Sequence, residues 1–253
     1  MRDNEIIAID VELELQTLVR RYQRAGGVGI EVLNLLGSQA DGLVDRLPPA
    51  VKNSLESATE AALRQAMRAA HGSRRVIGEQ KGWLHTALAT ALGAAGGAGG
   101  APTALAELPI TTTILLRSIQ DVAVEYDFDP ESENVQFDCV QVFGAAGPLA
   151  SDDGADLAFL GARMALTSGG VQRMASMVAP RLAAVMGQKL AAQAVPVIGA
   201  ATGAATNYAY TSYYREVAHV HFGLRKLAID ADVSHAELVQ SFRENLVPEL
   251  TQN

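Results

Sequence analysis

The sequence predicts an all-α fold: a single multi-helix domain carrying two Gly/Ala-rich helical hairpins. Three observations carry this. Apolar residues recur at three- and four-residue spacing along most of the 253-residue chain. Apolar residues make up 49% and the mean hydropathy is +0.12, an excess supplied mostly by alanine, the best helix former. No stretch alternates as a strand or carries a hairpin dipeptide, and no fixed-period repeat is present.

The elements follow in order. Val11, Leu15, Leu18, Val19 and Tyr22 share one helical face, so residues 4–24 read as an amphipathic helix ended by Gly26 and Gly27. A second helix covers 28–36 and stops at Gly37. Pro48 and Pro49 suit the first turn of a third helix, which ends at Gly72 and carries Glu60 and Arg64 in the favoured i,i+4 order. Residues 83–95 are helical, and Pro109 opens a new helix with the stripe Ile110, Ile114, Leu115, Ile119 and Val122. Asp129 and Pro130 read as N-cap and first turn, with Glu131 and Glu133 on the positive helix end and a break at Gly144–Pro148. Helices over 154–167 and 170–188 follow, the second containing Pro180. A long helix covers 203–229, and Ser234 to Glu237 form a capping box for the last. Residues 1–60 read as an N-terminal helical extension and 61–253 as the main helical domain, together one compact unit.

Thr86–Ala106 and Leu190–Tyr214 contain no charge, and each is long enough to span a bilayer if wholly helical. Gly93, Gly96, Gly97, Gly99, Gly100 and Pro102 interrupt the first, and Pro196, Thr202, Thr206 and Asn207 the second. A helical hairpin therefore suits each better than a straight span, since a mid-helix glycine costs about 1 kcal/mol relative to alanine. Small residues four apart (Gly93 and Gly97, Gly199 and Gly203) let backbones approach closely, either inside a fold or in lipid. The glycines are not a phosphate loop: no lysine follows them and no strand precedes them.

Charge is blocked along the chain. The net charge is −8. Five cations and one acid lie between Arg64 and Gly82; ten acids and no Lys or Arg between Ser118 and Ala162; five cations and no acid between Leu157 and Arg215. Either the acidic and basic blocks meet within the fold, or a cationic, apolar face meets an anionic surface. Arg64, Arg68, Arg74, Arg75, Lys81 and Trp83 form the candidate membrane-facing set, a basic cluster beside an interfacial aromatic. The acidic N-terminal run is neither a signal peptide nor an anchor, and the lone Cys139 fits a reducing cytoplasm and a core position.

Gly99–Asp129 and Val195–Leu227 resemble the EcsC family of bacterial proteins. "GGAPTALAELPITTTILLRSIQ" is similar to that family's G-x-x-T-x-L-x-E-L-P segment and following helix. "VPVIGAATGAATNYAY" is similar to its P-V-I-G-A-x-x-G-A-x-x-N segment. The resemblance covers about 80–230 and implies a mostly helical domain, in a family named for a gene beside an ABC transporter, with no catalytic activity securely attached.

Candidate chemistry centres on a polar pocket of Glu107, Thr111, Arg117, Asp121 and Asn207. Glu107 either caps helix amides or acts in a site; Arg117 and Asp121 are spaced to pair; the hydroxyls of Thr111 and its neighbours satisfy backbone groups. Asn207, if buried, joins the two small-residue segments by bonding a carbonyl freed near Pro102 or Pro196. Glu216, His219 and His221 read as a solvated face, because His221 points away from His219 and the three make a poor metal site. Asp152, Asp153 and Asp156 lack an EF-hand pattern. No metal, cofactor or nucleic acid is expected, and no Ser/His/Asp set can be assembled. The leading expectation is a non-enzymatic cytoplasmic protein, peripheral to an anionic membrane or to a membrane protein such as a transporter component. Its rivals are a hydrolase around Glu107 and Asn207, and an interaction module that docks a basic partner on the acidic 118–162 segment.

Overall fold

The computed structural model describes residues 9–36, 49–74, 82–145, 157, 160, 170–193 and 199–246. Seven helices have described bounds: α1 Val11–Leu36, α2 Pro49–Arg74, α3 Gly82–Glu125, α4 Glu133–Val142, α5 Gly170–Gln193, α6 Gly199–Asp230 and α7 His235–Leu246. No strand occurs among the described residues, so the all-α single domain is as expected.

Two long helices organise the rest. α3 has 44 residues and α6 has 32, about 66 Å and 48 Å at 1.5 Å per residue, and they pack along one another. α1 lies on α6 and touches α7; α2 packs on α3 and α5; α4 sits among α3, α5 and α6. The shared core takes Leu15, Leu18 and Val19 from α1, Leu63 from α2, Leu115 and Ile119 from α3, and Tyr214 and Phe222 from α6.

The expected interruptions at glycine are corrected. α1 runs unbroken through Gly26 and Gly27, and α3 unbroken through Gly93–Gly100, Pro102 and Pro109. The first small-residue segment is therefore not a hairpin but the middle of a continuous helix. Glycine penalties of about 1 kcal/mol each are local, whereas a helix packed along its length is held by tertiary contact. The turn expected of the second segment falls at 194–198, outside the described residues; α5 and α6 on either side do touch.

Two helix ends share one device. Asp127 (φ 63°) and Asp232 (φ 53°) adopt the left-handed conformation that a Schellman cap requires. Phe128 N–H donates to the Ala123 carbonyl at 3.0 Å and Asp127 N–H to Val124 at 2.9 Å; Val233 N–H likewise donates to Ala228 at 3.1 Å. α4 then begins at Glu133 rather than at Pro130. Asp129 Oδ1 accepts from Glu131 N–H at 2.9 Å and so closes a local turn, leaving Ser132 as the N-cap. The last helix begins after Ser234, with the Ser234 carbonyl accepting from Leu238 N–H at 3.1 Å.

α1 seats on α6 at Gly223. A Cβ there would lie 2.6 Å from Leu18 Cδ2 and 3.3 Å from the Tyr126 hydroxyl. Both are side-chain tips, but Leu18 is buried in the core, so a large residue at 223 must displace it against its neighbours. Gly223→Leu is expected to cost about 2–3 kcal/mol through overpacking. A shift in the urea midpoint, read beside Gly223→Ser, measures it; equal midpoints for the two variants and the parent would show that α1 docks elsewhere.

Candidate functional site

Both long helices bury several polar side chains. Thr111, Thr112, Arg117, Ser118, Gln120 and Asp121 are buried on α3, and Thr206, Asn207 and Thr211 on α6. Asn207 Nδ2 donates to the Ala89 carbonyl at 2.7 Å, and Thr211 Oγ1 donates to the Asn207 carbonyl at 2.7 Å. Asn207 thus joins the two small-residue segments as expected, but through Ala89 rather than a carbonyl near a proline. Arg117 and Asp121 are both buried and both engaged by neighbours. Tyr210 donates to the Val185 carbonyl at 3.2 Å, tying α6 to α5; burial first, and then Tyr214, pushes its hydroxyl well above the ordinary range.

Charge collects where α3 ends. Arg215 donates to Glu125 at 2.5 Å, so the acidic and acid-free blocks of the sequence do meet here. Arg21 of α1 donates to Glu216 at 2.5 Å. Asp138 of α4 holds Arg225 as an ion pair and lies 3.5 Å from His221 Nε2. Arg225 stacks over Phe128, 4.6 Å from the ring centroid.

His219 and His221 correct the expectation of a solvated face: they are 5% and 2% exposed. α6 is covered on several sides at once, so even its histidines are interior. His219 Nε2 lies 3.8 Å from Glu125, a carboxylate that would favour the charged ring. Burial, reinforced by Arg21 and Arg215, outweighs it and lowers the His219 pKa to about 3. Burial alone lowers His221 to about 4. Both rings are neutral at pH 7, face different acids, and belong to no metal-competent cluster among the described residues.

The remaining sequence candidates divide. Arg64 donates to Glu60 at 2.7 Å, and Ser176 of α5 donates to the same Glu60 oxygen at 2.6 Å. The Ser176 bond, then Arg64, lowers the Glu60 pKa. Arg68 reaches back to the Arg64 carbonyl at 3.4 Å. The side chains of Arg74, Trp83 and Glu107 lie outside the described residues, as do Arg75, Lys81 and the 152–156 aspartates. Glu107 is therefore not placed against Asn207.

Sequence reasoning missed a cleft. Thr17, Arg20, Arg21, Arg24 and Ala25 of α1 face Tyr208, Ser212 and Glu216 of α6 across a cavity of about 500 Å³. The signal is present in the sequence as three arginines within five residues.

The sequence model of the EcsC protein family matches residues 38–227. It begins well before the 80–230 span of the motif resemblance and takes in α2, while α1 precedes it. No curated protein and no solved structure matches. With the two small-residue segments, the joint at Asn207, all of α3 and nearly all of α6 inside a match that covers well over half of its length, the chain belongs to the EcsC protein family.

Proposed function

We propose that this is a non-enzymatic protein that docks peripherally on an anionic membrane surface through the outer face of α5. One observation carries the reading. α5 contains no acid, and Arg173, Met177, Pro180 and Arg181 are exposed together on one side of it, Met177 at 64%. Pro180 removes the helical donor to the Ser176 carbonyl on this exposed side, where water or a headgroup replaces it. Arginines flanking an exposed methionine suit an interface, because their stems lie along apolar surface while the guanidinium groups reach phosphate. At the α2 edge, Glu60 is already engaged by Arg64 and Ser176, which limits its repulsion of a negative surface.

Two further observations support the reading. Among the described residues no helix is long and apolar enough to cross a membrane, which favours lying on the surface over spanning. Asn207 is committed to the Ala89 carbonyl, which favours a joint between helices over a catalytic amide.

Arg173→Glu/Arg181→Glu is expected to weaken binding to phosphatidylserine-containing vesicles by about thirtyfold or more, since each cation near such a surface contributes about 1 kcal/mol. Co-sedimentation isotherms of parent and variant measure this. Overlapping isotherms would remove α5 as the docking face.

A further inference from the structure

The geometry points to the α1–α6 cleft as a binding site for a phosphate-bearing anion, held by Arg20, Arg21 and Arg24 with the hydroxyls of Tyr208 and Ser212. The site is built from different helices than the α5 face, and its α1 wall precedes the family match.

Charge is the first reason. Arg20 and Arg24 are one turn apart on a helix, an arrangement that destabilises the helix by itself. Among the described residues that line the cleft, only Glu216 is acidic, and it is committed to Arg21. Two arginines thus exceed the available carboxylate, in a protein whose net charge is −8. An anion in the cleft would convert this repulsion into attraction, and a recess focuses its field better than an open face.

Geometry is the second. Arg21 is held by Glu216 and so keeps its place without a ligand. Arg20 Nη2 donates to Thr17 Oγ1 at 3.0 Å, and Thr17 in turn donates to the Leu13 carbonyl at 2.9 Å, which steers Arg20. Arg24 is exposed and makes no hydrogen bond or ion pair among the described residues. Planar guanidinium forks pair two at a time with phosphate oxygens, and hydroxyls complete the shell. The volume of about 500 Å³ admits a phosphate with a small attached group, whether a free metabolite or the headgroup of a lipid.

Isothermal titration of the full chain with inorganic pyrophosphate and with glycerol 3-phosphate tests the free form of the ligand. Titration with phosphatidic acid vesicles, against phosphatidylcholine vesicles, tests the lipid form. Saturable binding to either set is expected, weakened about tenfold in Arg24→Gln and about a hundredfold in Arg20→Gln/Arg24→Gln, with Arg24→Lys closer to the parent. Arg173→Glu/Arg181→Glu is expected to leave binding of the soluble probes unchanged, which separates this site from the α5 reading. Far-ultraviolet dichroism and melting confirm that the cleft variants fold; both side chains are exposed, so they should. No saturable binding in any arm, or equal binding by parent and Arg20→Gln/Arg24→Gln, would overturn the assignment.

Discussion

As the pH falls from 6.5 towards 4, the folded state is expected to lose about 1 kcal/mol of stability per pH unit for each of His219 and His221. The unfolded rings bind protons near pH 6.5, whereas the buried rings resist until about pH 3 and 4. Across that window the unfolded chain carries more protons, so acid favours unfolding and stability returns as the pH rises through 6.5. Urea midpoints measured at intervals through the window read the slope directly. His219→Gln/His221→Gln should flatten it. A slope unchanged in that double variant would mean that other groups carry the acid sensitivity.

Asp138→Ala is expected to cost about 3 kcal/mol, because it leaves Arg225 and His221 facing an empty site. Burial lowers the Arg225 pKa, a sign that its charge is partly desolvated, and Asp138 and the Phe128 ring offset that cost. The magnitude reflects the stranded cation, not the net worth of the pair. Arg225→Met in the Asp138→Ala background should therefore recover a large part of the loss. A double-mutant cycle reads the coupling; additive costs would show that the two side chains do not depend on one another.

Much of the helical order could be read from the sequence, and its failures share a cause. The stripe Leu15, Leu18, Val19 predicted the buried face of α1, and Ser234 marked the start of α7, because caps and periodicity are local signals. Gly26–Gly27 and Gly93–Gly100 misled, because a glycine signals a break only when nothing else holds the helix; α3 is held along α6 and α2. Asp129 misled in the opposite sense: its side chain found a nearer amide, at Glu131, and the helix waited for Ser132. His219 and His221 read as a solvated face from spacing alone, and only the packing of α1, α3 and α4 around α6 makes them interior.

The candidate site was legible in part. Asn207 was identified as a joint from chemistry alone: an amide among alanines and glycines must find a partner once buried. Its partner Ala89 was not legible, since a straight α3 sets a different register from a hairpin. The arginine cleft needed the tertiary structure, because Arg20, Arg21 and Arg24 meet Tyr208 and Ser212 only when α1 lies on α6. The outer face of α5 was half legible: the absence of acid is in the sequence, but which side of the helix faces outward is not.

Flotation of the full chain with vesicles at low salt tests the membrane reading most directly. The protein is expected to rise with phosphatidylcholine vesicles that contain phosphatidylserine, to stay down with phosphatidylcholine alone, and to be released by high salt as screening shortens the reach of its arginines to about 3 Å. A protein that stays at the bottom of the gradient with both kinds of vesicle, at low salt, would contradict the account.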